Sequence, residues 1–325
     1  MHVGIYFDLR NPPAWRRPWA DQYAASLELI EDAERRGIDA VWLTEHHFFE
    51  DGYLPQPLTF AAAIAARTRT VRIGTAVLLA PLRSAVQLAE EAAVVDIVSG
   101  GRLELGLGAG YRVPEFEAFG ADIGRRYSTT DARVRELREL WAEGRVTPPA
   151  VQDPIPLWLG YQGPQGARRA GRLGVGLLSI NRDLLEPYRE GLQEGGHDPA
   201  SARMAGQLNI VIADDPEPAW ARIQDHVAYQ HNSYRRYLVE GTGRPDPHPV
   251  DPARIRERGS GVLARFDVVT PDGAVALITR HVEGLPVEHL YLWATIAGMP
   301  DDIAARHVEL LTDVVRPQVT HLGLS

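Results

Sequence analysis

The sequence alternates between short apolar runs typical of β-strands and longer runs with helical periodicity. Several short runs are almost continuously apolar, as expected of strands with both faces buried in a parallel sheet. Eight strands alternating with helices favour an α/β protein built as a (β/α)8 TIM barrel with insertions. A doubly wound open sheet remains the alternative, because alternation alone does not distinguish a closed sheet from an open one. The predicted strands are His2–Asp8, Ala40–Glu45, Arg72–Leu78, Arg102–Leu107, Pro156–Gly160, Val175–Ser179, Gln207–Ala213 and His289–Ala294.

Capping residues mark the helix boundaries. Ser84 is placed to cap a helix that ends at Gly100–Gly101, and Pro164 and Pro271 stand where first helical turns begin. The predicted helices are Ala20–Arg36, Leu58–Arg67, Ser84–Val98, Arg126–Glu143, Pro164–Leu173, Asp183–Glu194, Pro216–Leu238, Pro271–Glu283 and Asp301–Val314.

The chain length of 325 residues suits one barrel, so we expect a single domain over residues 1–325. The segment Glu240–Arg258 is rich in Pro, Gly and charge and interrupts the alternation before the last strand and helix. We assign it to an insertion loop at about residues 239–268.

Composition excludes several classes of chemistry and partner. The chain has no cysteine, which excludes disulfides, thiolate nucleophiles and cysteine-ligated metals. Its 34 basic and 43 acidic side chains give a net charge of −9, without a basic block, so nucleic acid is not an expected partner. No stretch approaches the roughly 18–20 apolar residues that span a bilayer, and the N-terminus does not resemble a signal peptide. We therefore expect a cytoplasmic protein without a membrane partner.

The second predicted strand ends in two adjacent histidines, His46 and His47. Adjacent residues on a strand point to opposite faces, so these two imidazoles do not readily bind one metal ion, and we predict no metal site. In a barrel, one imidazole directed into the mouth would act as a general acid or base near neutral pH. The alternative is that one histidine caps the strand while the other contacts the next helix.

Three other strand ends are rich in small residues. The third strand and its end, residues 72–81, would let a flat ligand lie against the backbone, although ordinary barrel packing explains the same pattern. The fourth leads into Gly106–Tyr111, whose G-x-G-x-G spacing is not a dinucleotide fingerprint but would let the backbone approach a bulky ligand or a neighbouring strand. The fifth leads through Tyr161, Gln162 and Gly163 into a helix, where free N–H groups would bind a phosphate; a tight turn without a ligand is the alternative.

Two further histidines lie in the long helix near the middle of the chain. His226 and His231 are five positions apart, which places them off a common helical face. We interpret both as surface or packing residues.

Several segments carry a resemblance that covers nearly the whole chain. They are Gly37–Trp42, Glu45–Phe48, Arg72–Val77, Asp96–Arg102, Gly108–Tyr111, Phe116–Gly120, Leu159–Pro164 and Val269–Asp272. In this order and spacing they resemble the bacterial-luciferase-like family of flavin-dependent monooxygenases, whose fold is a (β/α)8 barrel with insertions.

The resemblance implies roles for individual residues. His46 matches the active-site histidine, and Ala76 and Val77 match a pair joined by a non-prolyl cis peptide under the flavin ring. Gly108 lies where the backbone approaches the cofactor. The residues Tyr161, Gln162 and Gly163 match the turn whose backbone holds the flavin phosphate.

Two positions depart from the pattern of the family. Ala109 stands where luciferase has a phosphate-contacting arginine, so Arg126 or Arg168 would have to replace that contact. Val269 stands where many relatives have glycine.

The resemblance also implies an activity. Such enzymes receive reduced FMN from a separate flavin reductase and use O2 to oxygenate a small organic substrate. Some relatives use a deazaflavin coenzyme for hydride transfer, but the run Glu45–Phe48 resembles that of the FMN enzymes. A non-catalytic flavin-binding partner subunit is a third possibility. Many relatives are homodimers, and the helices Leu58–Arg67 and Ser84–Val98 are the expected contact.

Overall fold

A computed structural model describes residues 1–256 and 266–322 of the chain. Among these residues, eight parallel strands close into a barrel, because β3 pairs with β2 on one side and with β5 on the other. This closure confirms the predicted (β/α)8 barrel and excludes the open sheet. The barrel strands, in order around the ring, are β1 (His2–Phe7), β2 (Ala40–Leu43), β3 (Arg72–Thr75), β5 (Leu103–Gly108), β6 (Leu157–Leu159), β7 (Gly176–Leu178), β8 (Met204–Leu208) and β11 (Val287–Trp293), with β4 (Leu78–Leu79) continuing the line of β3 beside β5.

Helices surround the barrel, and none within the described residues is long and apolar enough to cross a membrane. Their bounds are α1 (Trp19–Arg36), α2 (Pro57–Arg67), α3 (Ala85–Ser99), α4 (Val113–Phe119), α5 (Arg126–Ala142), α6 (Gly163–Arg172), α7 (Leu185–Glu194), α8 (Pro216–Val239), α9 (Pro252–Ile255), α10 (Pro271–Val282), α11 (Asp301–Glu309) and α12 (Arg316–Val319), with a π-helical turn at Leu310–Val315. The predicted insertion begins at the end of α8 and contains α9, while residues 257–265 lie outside the described ranges. Its full extent, and the single domain, stay predictions.

The predicted strand Gln207–Ala213 is wrong in its bounds. The barrel strand β8 ends at Leu208, and the next residues form β9 (Ile210–Ile212), which leaves the ring and pairs in parallel with β10 (Asp267–Val269). The apolar run has strand propensity throughout, but nothing in it specifies which partner each half takes. Val269, which stands where many relatives have glycine, is thus a β10 residue that pairs with Ile212 of β9.

Large aromatic rings fill the inside of the barrel where neighbouring strands carry glycine. The indole of Trp42 covers Gly74, so a Cβ there would lie 2.3 Å from its Cε3 atom; Trp158 covers Gly176 in the same way at 2.2 Å. Under these rings, Glu104 accepts a hydrogen bond from Nε1 of Trp158 at 2.7 Å. The interior below the mouth is therefore a packed floor.

A buried histidine fastens β9 beside the barrel. In the fully buried imidazole of His307, Nδ1 accepts a hydrogen bond from the backbone N–H of Ile212 at 2.9 Å, and Nε2 lies 3.1 Å from the carbonyl oxygen of Trp293. Only a neutral imidazole both accepts and donates in this way. Burial lowers the pKa of His307 to about 4, although the Trp293 carbonyl favours the charged form.

This lowered pKa predicts a loss of stability in mild acid. The unfolded chain takes up a proton near the usual histidine pKa of about 6.5, whereas the folded chain resists it down to about 4. The free energy of unfolding should therefore fall by about 3 kcal/mol through this group between pH 7.5 and pH 4. Urea unfolding across that range measures the slope, and His307→Gln, which keeps a donor and an acceptor without titrating, should flatten it. Equal slopes in both proteins would contradict the assignment.

Candidate active site at the barrel mouth

A cavity of about 490 Å³ opens at the C-terminal mouth of the barrel. Its walls come from the ends of the barrel strands, from the loops that follow them and from α8. Among the predicted site residues, those that line it are His46, Ala76, Val77, Gly108 and Gln162. Tyr161 and Gly163 flank Gln162 outside the lining; the Tyr161 hydroxyl donates to Asp131 at 2.8 Å and holds the turn against α5. The structure brings the predicted residues to one place, and their roles stay predictions.

One wall of the cavity is built around the Ala76–Val77 peptide, which is cis. The Val77 side chain lies between two glycines: a Cβ on Gly108 would be 2.2 Å from its Cγ2 atom, and one on Gly160 would be 2.4 Å from Cγ1. The hydroxyl of Tyr6 donates to the carbonyl oxygen of Ala76. The glycines are thus required to seat Val77, and the result is a smooth wall of small groups.

His46 and His47 lie in the loop after β2, which ends at Leu43. The prediction that strand alternation orients them is therefore wrong, and hydrogen bonds to two carboxylates orient them instead. Nδ1 of His46 lies 2.9 Å from Oε1 of Glu115, and Nε2 of His47 lies 2.9 Å from Oε1 of Glu45. His46 lines the cavity, whereas His47 does not line it and packs against the ring of Phe119.

The contacts of Glu115 define the tautomer of His46. The same Oε1 atom accepts the backbone N–H of His47 at 2.8 Å, so it is an acceptor in both contacts. Nδ1 of His46 must then carry the proton that it donates to Glu115. Nε2 is the ring nitrogen that this arrangement leaves for a ligand.

The carboxylate of Glu45 also reaches the cavity, but its charge is paired. Oε1 accepts from Nη2 of Arg83 at 2.9 Å as well as from His47, and Oε2 accepts the backbone N–H of Leu79 at 2.7 Å. Glu45 therefore fixes the loops after β2 and β3 and does not present a free charge to a ligand.

A buried ion pair that sequence reasoning missed ties α8 to the strand ends. The guanidinium of Arg10 contacts Asp8 at 3.0 Å and Asp51 at 2.7 Å, and its Cζ atom lies 4.5 Å from the ring centre of Tyr234 on α8. Burial raises the pKa of Asp8, and the neighbouring Arg10 opposes the rise.

Two other cavity residues were missed or misassigned. His231 was interpreted as a surface or packing residue, but it lines the cavity on the same face of α8 as Gln230 and Tyr234; His226 is buried and packs beside Ala297. The i, i+3, i+7 spacing of His231, Tyr234 and Leu238, which all reach the cavity from α8, was the available signal. The phenol of Tyr111 also lines the cavity, with its ring centre 5.0 Å from that of His46.

The N-terminus of α6 opens beside the cavity. Gly163 begins this ten-residue helix with a φ of 72°, has nothing within 4 Å of the position of a Cβ, and no side chain caps the helix. The nearby ring of Tyr127 lines the cavity, and the Arg126 guanidinium lies 4.7 Å above that ring. Arg168, the other predicted cation, instead pairs with Glu190 on α7. Arg126 is therefore the better placed of the two arginines.

Fold and cavity together define the class of protein: a (β/α)8 barrel with a small-molecule cavity at the end where barrel enzymes carry their active sites. The sequence pattern of the luciferase-like monooxygenase family matches residues 1–310. The chain belongs to this family, whose members are oxidoreductases.

The known proteins that the chain resembles include both monooxygenases and F420-dependent enzymes. The monooxygenase RslO1 of Streptomyces bottropensis has a crystal structure that superimposes with a TM-score of 0.79, at 26% identity, over 98% of this chain and 99% of that one. The F420-dependent glucose-6-phosphate dehydrogenase of Mycolicibacterium gilvum is 26% identical over 94% of this chain and 97% of that protein. The uncharacterized protein y4wF of Sinorhizobium fredii is 32% identical to this chain. The matched region covers 59% of this chain and 62% of the length of y4wF.

The Glu115 contact predicts the tautomer of His46. In Glu115→Ala the Nδ1 acceptor is gone, so neutral His46 should shift from the Nδ1–H to the Nε2–H form. Nitrogen-15 NMR of the histidine rings, in the protein as purified, distinguishes the two forms. Glu115→Gln is the matched control, because its amide oxygen still accepts from Nδ1. The interpretation fails if the wild-type ring is already Nε2–H.

Proposed function

We propose that this protein is a two-component monooxygenase that takes reduced FMN from a separate flavin reductase and uses O2 to oxygenate a small organic substrate. The observation that carries the proposal is a smooth wall at Ala76–Val77 in the same cavity whose lining includes Gln162, the residue before the uncapped N-terminus of α6. A flat ring fits against small groups, and helix N–H groups bind a phosphate. These two features match the two ends of FMN.

Specific residues would hold the cofactor. The ring would lie against Ala76 and Val77 near Gly108, and the backbone of Tyr161, Gln162 and Gly163 would bind the phosphate. Arg126, whose Nε atom is buried without a hydrogen-bond partner among the described residues, would supply the positive charge. Bound FMN supplies the reaction with O2; the protein positions it and excludes water.

His46 would hold or move the proton that oxygen transfer requires. Glu115 fixes its ring with Nε2 toward the cavity, where the substrate and cofactor would meet. An imidazole with one nitrogen fixed by a carboxylate accepts a proton on the other and gains a stabilising ion pair as it does so. We therefore assign His46 as the catalytic acid or base.

Hydride transfer with a deazaflavin coenzyme is the second candidate, since the relative from Mycolicibacterium gilvum is an F420-dependent glucose-6-phosphate dehydrogenase. A sugar phosphate needs a cationic partner at its own subsite. Among the described residues, no arginine or lysine lines the cavity. This lining argues against a sugar phosphate as the substrate. The third possibility, a non-catalytic partner subunit, predicts cofactor binding without turnover.

A cofactor titration tests the proposal. Purified protein should bind FMN more tightly than F420, and Gly163→Asn should weaken FMN binding by about tenfold or more because a side chain enters the open space at α6. Gly144→Asn is the matched control: Gly144 has a φ of 65° and equally open surroundings, and it ends α5 away from the cavity. Asn tolerates this backbone conformation at both sites. Tighter binding of F420, or equal losses in both variants, would sink the proposal.

Single-turnover kinetics test the role of His46. With substrate present, oxidation of bound reduced FMN should be slower in His46→Ala by about 10²–10⁴-fold, the usual contribution of general acid–base catalysis. His47→Ala should lose less, because His47 faces Glu45 and not the cavity. A merely structural His46 would instead weaken FMN binding and lower the thermal midpoint in parallel with the rate.

We also propose a homodimer through α2 and α3. Helix α3 exposes an apolar row, with Val86 and Val94 each 48% exposed and Val98 47% exposed. Such a row is suited to burial against a second copy of the chain. Light scattering at micromolar concentration should give the mass of a dimer, and a monomer would remove this proposal.

A further inference from the structure

The part of the cavity around His46 has aromatic walls and no unpaired charge among the described residues. Tyr53, Tyr111 and Tyr234 contribute rings beside His46, and Tyr6 and Trp293 contribute two more rings to the lining of the same cavity. No arginine or lysine reaches it from the described residues, and Glu45 is paired with Arg83. Rings on several sides favour a flat, apolar ligand, because aromatic pairs prefer offset or edge contacts over a large buried area.

One polar atom in this wall has no use within the protein. The hydroxyl of Tyr111 is buried and has no hydrogen-bond partner among the described residues. Other tyrosines of the wall are satisfied: Tyr6 donates to the carbonyl of Ala76, and the hydroxyls of Tyr53 and Tyr234 lie 2.9 Å apart. A buried hydroxyl without a hydrogen-bond partner is destabilising. Because Tyr111 lines a cavity, a ligand atom is the partner that we infer for its hydroxyl.

The hydroxyl of Tyr111 is a donor at neutral pH. Burial raises the pKa of this phenol above its usual value, so it keeps its proton. Its ring meets the imidazole of His46 edge to face, at 5.0 Å between ring centres and an interplanar angle of 71°. The ring that carries this hydroxyl is therefore a direct neighbour of His46 in the cavity lining.

We propose that the substrate is an uncharged, planar aromatic molecule carrying a carbonyl oxygen, and that Tyr111 selects it by donating a hydrogen bond to that oxygen. The inference rests on the proposed function for the reaction, but the binding that it describes does not require turnover. Tyr111 is in this sense a specificity-determining residue, distinct from His46, which exchanges the proton.

Three naphthalene probes of matched shape test the proposal. They are 2-acetonaphthone, which has the carbonyl; 2-ethylnaphthalene, which lacks it; and 2-naphthoate, which is an anion. Each is titrated by calorimetry against protein saturated with oxidised FMN, so that no oxygenation occurs. The ketone should bind most tightly, and the anion at least about tenfold more weakly than the ketone, since no cation faces it.

The variant Tyr111→Phe removes the hydroxyl and keeps the ring. It should weaken binding of 2-acetonaphthone by about fivefold to tenfold, the usual effect of one hydrogen bond, and leave 2-ethylnaphthalene within about twofold. Tyr234→Phe is the matched control, because its hydroxyl is already paired with Tyr53 and should not discriminate between the two probes. The thermal midpoint of the ligand-free Tyr111→Phe protein should be equal to or above that of wild type.

Several outcomes overturn the proposal. Equal losses for the ketone and the hydrocarbon would mean that the hydroxyl does not contact the substrate, and a matching loss of FMN affinity would assign it to the cofactor. Tighter binding of 2-naphthoate would show that an anion is preferred. If Tyr111→Phe does not fold, the carbonyl stretch of bound 2-acetonaphthone in wild type still decides, since a hydrogen bond lowers its frequency and its absence leaves it unchanged. If FMN fails to bind, the proposed function fails, and the same titrations with protein alone still test this inference.

Discussion

The architecture of the mouth depends on how the inside of the barrel is filled. Closing eight strands leaves an interior just wide enough for side chains, and here indole rings occupy it opposite glycines, Trp42 against Gly74 and Trp158 against Gly176. Nearer the mouth, the ends of β5 and β6 carry small residues, and Val77 projects between Gly108 and Gly160. The cavity thus lies above these two indole rings, with a wall of small groups on this side. A larger residue at either glycine would displace the wall on which the proposed cofactor ring rests.

Above this floor, the loops are held by charges that the protein satisfies internally. Glu115, on α4, fixes both His46 and the backbone of His47, and Glu45 joins the loops after β2 and β3. Nη1 of Arg112 donates to the carbonyl oxygen of His47 at 2.7 Å, and the same side chain pairs with Glu240 at the end of α8. The loop that carries His46 is therefore held by contacts of Glu115, Glu45 and Arg112. Such preorganisation is what the proposed acid–base role of His46 needs. The ion pair between Arg112 and Glu240 also connects this loop to the start of the predicted insertion.

The sequence was sufficient for what depends on local periodicity. The strand and helix alternation predicted the barrel, and the identity of each strand end predicted which residues would meet at the mouth, as His46, Val77 and Gln162 do. It failed where the outcome depends on distant partners. The run Gln207–Ala213 divides between two sheets because His307 and β10 hold its second half, and neither is visible in the run itself. The orientation of His46 likewise depends on Glu115, which is 69 positions away.

The kind of ligand that the cavity can bind depends on which of its polar groups already have partners within the protein. Charged side chains at the mouth are engaged with one another: Arg10 with Asp8 and Asp51, and Glu45 with Arg83. Breaking such a buried pair to bind a charged ligand would leave the other partner desolvated and unpaired, which is strongly unfavourable. In the proposed function, recognition is left to shape, to neutral hydrogen-bonding groups such as Tyr111, and to the N-terminus of α6 with Arg126 for the phosphate of FMN. A site that works in the proposed way would distinguish a phosphate, met by backbone N–H groups, from an uncharged substrate, met by aromatic faces and the phenol of Tyr111.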